Sequence, residues 1–246
     1  MAAALPGAMV KETGSARVYA QLRQEILRTA LPPGAPLDEI GLSERFGLSR
    51  SPIREALVRL SSEGLVQILP NRSTIVTPID VQGIPEFLDA LDLLQRVTTR
   101  SAALFRTEAQ LREIEAAAVA YGGGARASIE TGDSLPLIEG NYAFHMAIAR
   151  AGSNRYFVNF YRRLLDDGRR ILHYHFEYER NDPGISAERL GSEHAEMVAA
   201  IRDKDADRAE RIAHAHAIQF KGRFIQYLSR SITADVRLDL QLPVND

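Results

Sequence analysis

The stretch GLSRSPIREALVRLSSEG, residues 47–64, decides the fold of the first part of the chain. Ser51 suits a helix N-cap, Pro52 suits the first helical position, and Gly64 suits a C-terminal cap. The stretch therefore predicts a tight turn followed by a short helix. Its apolar residues recur at helical spacing and form one stripe, which is expected to be buried: Ile53, Ala56, Leu57 and Leu60.

The segments on either side of this helix complete a recognisable unit. Residues 15–30 and 37–47 each carry apolar side chains at helical spacing, and the LPPG between them cannot continue a helix. After Gly64, the β-rich runs LVQIL and TIVTPI flank the turn PNRS, which is a hairpin pattern. Three helices followed by a β-wing predict a winged helix-turn-helix domain over residues 16–78.

Beyond residue 80 the pattern is almost entirely helical. Apolar periodicity predicts six helices, at 84–105, 107–121, 135–151, 155–178, 186–203 and 205–231. Short breaks separate them, including NDPG at 181–184, and the longest expected loop begins at the glycine run 122–124. The fold class is therefore mainly α. An all-α antiparallel helical bundle at 79–235 follows the winged helix, with a disordered tail at 1–15 and a second tail at 236–246.

The composition excludes several classes of protein. The 246 residues include no cysteine, which removes disulfides, thiolate zinc sites and cysteine nucleophiles. The net charge of −2 means that any nucleic-acid binding depends on a local patch. No apolar run approaches the roughly 20 residues of a membrane span, and the start of the chain lacks the features of a signal peptide. We therefore expect a cytoplasmic protein without membrane contact.

Such a basic patch surrounds the helix of residues 47–64. Between residues 45 and 72 there are five arginines and only two glutamates. Arginine pairs bidentately with guanine, and serine hydroxyls serve phosphate. The alternative is that these arginines only keep a surface helix soluble. The candidate DNA-binding residues are Ser49, Arg50, Ser51, Arg54 and, in the wing turn, Arg72.

Three histidines suggest a metal site in the helical part. His145, His194 and His216 each lie on the apolar stripe of a different predicted helix. Neutral imidazoles suit a divalent transition metal, foremost zinc, with nickel, iron or manganese as alternatives. Asn141, one turn before His145, offers an oxygen as a fourth ligand. A hydrogen-bonded core histidine is the alternative for each, and the other three histidines lack this placement.

The motif LSRSPIREAL with its EGL exit resembles the N-terminal domain of the GntR family of bacterial transcription regulators. The resemblance covers residues 16–78. It implies that Arg50 and Arg54 contact bases and phosphates, and that Ser49 and Ser51 are small polar contacts. Two positions depart from the family pattern, because Ile40 stands where many members have arginine and Ser73 where the wing usually has glycine.

Residues 83–230 resemble the FCD domain of the FadR branch, and the six-helix count is closer to its VanR-type subgroup. NYAFH, SEHAEMV and HAHAIQF match the metal pattern of that domain, except that an asparagine replaces the usual aspartate. The resemblance implies a metal bound by Asn141, His145, His194 and His216. The arginine and glutamate that usually line the effector pocket align with Leu91 and Gln95. The candidate effector-binding residues are Gln95, Arg96 and Arg100.

These features predict a homodimeric transcription regulator, expected to repress a catabolic operon through an inverted-repeat DNA operator. A small organic acid, bound at or near the metal, would control its affinity for DNA. One alternative is a purely structural metal without an effector. A metal-dependent hydrolase is disfavoured, because Asn141 cannot take a proton and because Glu193 and Glu196, at helical spacing, are expected to point away from His194.

Overall fold

The computed structural model describes residues 13–80, 82–179 and 186–229. Residues 1–12 of the first expected tail, all of the second and the break at 181–184 lie outside these ranges. The mainly helical class, with a winged helix-turn-helix and a helical C-terminal domain, is confirmed. The elements are α1 (Gly14–Leu27), α2 (Glu39–Phe46), α3 (Arg50–Ser62), β1 (Val66–Ile68), β2 (Thr74–Val76), α4 (Ile84–Phe105), α5 (Glu108–Thr131), α6 (Leu135–Ala151), α7 (Arg155–Glu179), α8 (Ala187–Arg202) and α9 (Ala206–Ser229).

Local capping fixes the ends of the helices that carry the predicted DNA-binding residues. The Asp38 side chain accepts a hydrogen bond from the Gly41 amide at 2.7 Å and starts α2, and Gly47, with φ +63°, ends it. The N-cap of α3 is Ser49, not Ser51 as the sequence predicts. Pro52 is therefore the third helical residue, where its missing N–H costs nothing because the first four helical amides have no intrahelical partner.

The wing is attached to the linker between α1 and α2. β1 and β2 pair antiparallel, with Gln67 opposite Ile75. The linker adds to this hairpin, because the Leu37 amide donates to the Thr74 carbonyl at 2.7 Å and the Val76 amide donates to the Ala35 carbonyl at 2.8 Å. The wing and the helices thus share one apolar core, formed by Val18, Leu22, Ile26, Leu27, Leu37, Leu42, Ile53, Ala56, Leu57, Leu60, Leu65, Val66 and Val76.

The helical domain departs from its sequence pattern at the glycine run. The loop predicted to begin at residue 122 is wrong, because α5 continues without interruption to Thr131. A Cβ atom at Gly124 would overlap the backbone carbonyl of Pro136, and one at Gly140 would lie 3.0 Å from the Tyr121 Cα. The glycines let α5 and α6 approach closely. This packing outweighs the loss of helix stability, about 1 kcal/mol for each glycine relative to alanine.

The two domains meet where α7 and the start of α6 face α1. The His173 ring lies between Thr29 and Ser134, with its Nε2 2.8 Å from the Thr29 Oγ1 and its Nδ1 2.6 Å from the Ser134 Oγ. Arg170 donates a hydrogen bond to the backbone carbonyl of Thr77, which follows the wing. One helix of the bundle therefore contacts the winged helix-turn-helix both just after α1 and just after the wing.

The close approach of α5 and α6 can be tested with two neighbouring glycines. We expect Gly124→Ala to lower the free energy of unfolding by about 1–3 kcal/mol, because the added methyl group meets backbone that cannot turn aside. Gly123→Ala is the control, since its methyl group meets no atom within 4 Å, and it should stabilise by up to ~1 kcal/mol. Urea unfolding measures both. Equal effects of the two substitutions would show that the close approach of α5 and α6 does not require a glycine at position 124.

Candidate metal centre and DNA-binding surface

A concave surface lies between α2, α3 and the wing. Arg50, Arg54 and Arg72 all line it, so the structure brings together the three arginines that the sequence singles out. Ser49 and Ser51 are exposed at the start of α3. Arg72 has a φ of +66°, a left-handed conformation at the wing turn. Long cationic side chains from a helix and a wing thus converge on one open face.

Arg54 has a partner that the sequence does not reveal. Its Nε lies 3.0 Å and 2.8 Å from the two carboxylate oxygens of Glu39, at the start of α2, and its side chain remains 62% exposed. Both of these contacts are made through Nε. Ile40, half exposed beside Glu39, lines the same surface and adds an apolar contact area there.

The three predicted metal ligands come together in the helical domain. His145 on α6, His194 on α8 and His216 on α9 each offer a ring nitrogen, and these nitrogens lie within 4.8 Å of one another. His145 and His194 are buried and His216 is half-buried. Three helices therefore converge on one point in the core, which three sequence-distant histidines occupy.

The electrostatics of this trio suit a metal ion. Burial, and secondly the neighbouring His216, hold the pKa of His145 and of His194 well below the ordinary histidine value, so both rings are neutral at pH 7 and keep a lone pair for a metal. Both ring nitrogens of His194 are buried and form no hydrogen bond within the described part of the chain. A buried polar atom without a partner is costly. The donor set therefore fits a divalent transition metal.

Glu193 belongs to this centre, contrary to the expectation from helical spacing. Its Oε2 lies 2.6 Å from the Nδ1 of His216. Glu193 does point away from its neighbour His194 within α8, but that direction takes it to α9, which spacing along one helix cannot show. A carboxylate on one ring nitrogen orients the other nitrogen toward a metal and makes it a stronger ligand.

A cavity of about 80 Å³ adjoins the trio, and His145 and His216 contribute to its wall. Asn141 and Gln95 line it too, as the sequence predicts for a fourth ligand and for an effector-binding residue. The Gln95 side chain is buried and donates to the Ala213 carbonyl at 3.3 Å. Most of the remaining wall is apolar, and it includes Leu91 one turn before Gln95. The cavity is large enough for a few non-hydrogen atoms besides water.

Two of the predicted effector-binding residues are not in the cavity wall. Arg96 pairs with Glu210 at 2.7 Å and Arg100 pairs with Asp207 and Glu210, all on the outer side where α4 meets α9. One residue advances a helix by about 100°, so Gln95 faces inward while Arg96 faces the surface. The prediction that Arg96 and Arg100 line the pocket is therefore wrong for this structure.

The sequence pattern also gave no indication of Arg169, which is buried and lines the cavity. It stands in a helix that carries several exposed arginines, and nothing in the sequence separates it from them.

The three histidines outside the trio have different surroundings. His173 lies at the domain junction, His214 pairs with Asp92 at 2.8 Å on the surface, and His175 lines the cavity beside Phe220.

A winged helix that presents convergent arginines, joined to a helical domain, defines a DNA-binding transcription regulator. Comparison with known families makes this specific. Residues 15–76 match the family described as bacterial regulatory proteins, gntR family, and residues 86–219 match the FCD domain. The chain belongs to the GntR family of transcription regulators, in its FadR-like branch with a C-terminal FCD domain. Members of this family bind DNA operators and typically act as dimers, and some FCD domains bind metal.

Individual relatives agree with this assignment. The chain is 26% identical over 200 residues to the HTH-type transcriptional repressor RspR of Escherichia coli (strain K12), which covers 81% of this chain and 84% of the relative. It is 27% identical over 221 residues to the HTH-type transcriptional regulator LutR of Bacillus subtilis (strain 168), covering 82% and 97%. The solved structure of E. coli McbR/YncC shares the fold, with a TM-score of 0.67 at 22% identity over 88% of this chain and 99% of that one.

The family and these relatives make the chain a transcription regulator and not an enzyme. No helix in the described ranges combines the length and the apolar character that crossing a membrane requires.

The metal centre can be tested by its ligands and by Glu193. We expect His145→Ala, His194→Ala and His216→Ala to lose bound metal and, with it, the thermal stabilisation that metal gives, which is about 2.7 kcal/mol at a metal concentration of 100 Kd. Glu193→Gln should keep metal but weaken its affinity by about 10–100-fold.

His214→Ala is the matched control, because this histidine lies on the same helix as His216 but pairs with Asp92 at the surface. Elemental analysis and melting with and without added zinc give the two readouts. Equal metal content in the four histidine variants would show that the trio consists of ordinary core residues.

Proposed function

We propose that the chain is a dimeric repressor of a catabolic operon in the cytoplasm, and that a small organic acid bound at a metal in the helical domain releases it from DNA. Residues 16–78 bind the operator, and residues 79–235 bind the metal and the effector. The observation that carries this proposal is the histidine trio beside a cavity, with two of its members buried and with His194 lacking any hydrogen-bond partner in the described chain.

The concave surface of the winged helix is the proposed contact with DNA. Arg50 and Arg54 reach base edges in the major groove from the first turns of α3, and the exposed Ser49 and Ser51 contact phosphate. Arg72, at the wing turn, contacts the minor groove or the backbone. Because one winged helix covers only a short half-site, two-fold pairing of the chain predicts an operator with an inverted repeat.

The metal is the proposed attachment point for the effector, with zinc as the first candidate and nickel, iron or manganese as alternatives. Three neutral imidazoles leave a divalent ion with open coordination positions and with its full charge. Asn141 offers an oxygen without cancelling charge, whereas an aspartate would cancel part of it. A carboxylate that enters the cavity therefore binds the ion both as a ligand and as a counter-charge.

A purely structural metal is the second candidate. It would account for the three histidines and for Glu193 equally well. It would not account for a cavity that reaches His145, His216, Asn141 and Gln95 together, because a closed structural site needs no adjoining space. The cavity therefore favours a site that admits a ligand.

The DNA contact is tested by Arg54. We expect Arg54→Ala to weaken binding to an operator selected from random duplexes by about 1–3 kcal/mol and to reduce discrimination between operator and random DNA. Arg59→Ala is the control on the same helix, since Arg59 stacks on the Tyr19 ring at 3.6 Å, away from the concave surface. Fluorescence anisotropy at fixed salt measures both variants. If Arg54→Ala binds the operator with unchanged affinity, Arg54 does not contact DNA.

The effector at the metal is tested by Asn141→Asp. The added negative charge should strengthen metal binding and weaken a carboxylate effector, so a higher effector concentration should be needed to release DNA. The two sites are linked, and the effector and DNA should lower each other's affinity by the same factor, equivalent to about 1–3 kcal/mol. Mobility-shift titration with small carboxylates gives the release midpoint. Tighter metal binding with an unchanged or lower midpoint would mean that the effector does not sit on the metal.

A further inference from the structure

The wall of the cavity beside the histidine trio also carries a cationic group, the guanidinium of Arg169. This side chain is only 3% exposed, lines the cavity, and stacks on the Tyr142 ring with its Cζ 3.6 Å from the ring centroid. Its Nε and Nη1 are buried and make no hydrogen bond to any residue that the structure describes. Burying a cation whose N–H groups lack acceptors is unfavourable, so an anion in the cavity would satisfy it.

The nearest carboxylates neutralise Arg169 only in part. Its Nη1 lies 3.5 Å from Glu139 and 3.8 Å from Asp166, which is close enough for an ion pair but not for a good hydrogen bond. The Glu139 side chain is 41% exposed, and an ion pair of that kind contributes little because water competes for it. A carboxylate that enters the cavity can therefore displace Glu139 from the guanidinium at small cost.

Glu139 connects this position to the DNA-binding domain. Its Oε1 also lies 3.9 Å from the Nη1 of Arg23 on α1. Arg23 in turn approaches Glu63, at the end of α3, with Nε and Oε2 3.6 Å apart, and the Tyr19 hydroxyl donates to the other Glu63 oxygen at 2.7 Å. A continuous run of ion pairs thus links the cavity wall to the helix that carries Arg50 and Arg54.

We propose that Arg169 anchors a carboxylate group of a small organic anion in the cavity, in competition with Glu139, and that this competition changes the pairing of Glu139 with Arg23. The inference rests on the proposed function, because it names a second recognition group of the same site and its route to the DNA-binding domain. With the metal at one wall and Arg169 at another, the preferred ligand is a short dicarboxylate. The cavity volume of about 80 Å³ limits it to a few carbon atoms.

Isothermal titration calorimetry on the full chain as purified tests the anchor without DNA. The probes are lactate, malonate and succinate at up to millimolar concentrations, each with its neutral amide as the uncharged control. We expect at least one carboxylate, and no amide, to bind the wild type. Arg169→Gln should weaken that binding about tenfold or more, because it removes charge-assisted hydrogen bonds. Glu139→Gln should strengthen it, because the competing carboxylate is lost.

Arg163→Gln is the matched control, since Arg163 is exposed on the same helix, and it should bind as the wild type does. If Arg169→Gln melts at a much lower temperature than the wild type, Arg169→Lys, which keeps the charge but not the planar fork of donors, takes its place and should also weaken binding. Binding of none of the carboxylates to the wild type overturns the proposal. So does equal binding by the Arg169 variants, or weaker binding by Glu139→Gln.

Operator titrations with the bound carboxylate separate this inference from the proposed function. Arg23→Gln should bind the carboxylate normally, but the carboxylate should change its DNA affinity by a smaller factor than in the wild type. If the carboxylate binds through Arg169 and leaves DNA binding of the wild type unchanged, the anion anchor stands and the proposed control of DNA binding fails. If the carboxylate releases DNA equally well from Arg169→Gln, the proposed control stands and the anchor at Arg169 fails.

Discussion

The arrangement of the helical domain depends on three imidazoles that meet in its core, one of which has no hydrogen-bond partner among the residues that the structure describes. His145, His194 and His216 come from three helices, so their nitrogens can lie within 4.8 Å only if α6, α8 and α9 keep one relative position. A bound ion would hold these helices together, and Glu193 would fix the ring of one ligand. A cavity adjoins this arrangement, and His145 and His216 are part of its wall.

The position of α7 explains how such a centre can affect DNA binding. Arg169 faces the cavity, while the next residue, Arg170, donates to Thr77 behind the wing, and His173 contacts Thr29 at the end of α1. Adjacent residues of one helix thus face the cavity and the DNA-binding domain. A small displacement at the cavity wall would, under the proposed function, reach the winged helix through α7 itself, which contacts both.

Charge placement separates two groups of arginines that look alike in the sequence. On the outer side of the bundle, Arg96 and Arg100 pair with α9 carboxylates in water, where such pairs contribute little. At the cavity wall, the described contacts of Arg169 are the distant carboxylates of Glu139 and Asp166 and the face of the Tyr142 ring. An arginine on the surface mainly keeps the protein soluble, whereas the buried Arg169 is the proposed anion-binding group, because removal from water strengthens its electrostatic interactions.

Sequence signals alone predicted the winged helix-turn-helix, the six helices found in the described part of the bundle, and the three histidines that meet, because capping residues, apolar periodicity and shared motifs are local signals. It failed at the glycine run, where the close approach of α5 to α6 outweighs helix propensity. It also missed Glu193 and Arg169 and misplaced Arg96 and Arg100. Those side chains owe their roles to contacts between helices far apart in the chain. Only the tertiary structure shows such contacts, because the partner of a side chain depends on which helix packs against its own helix.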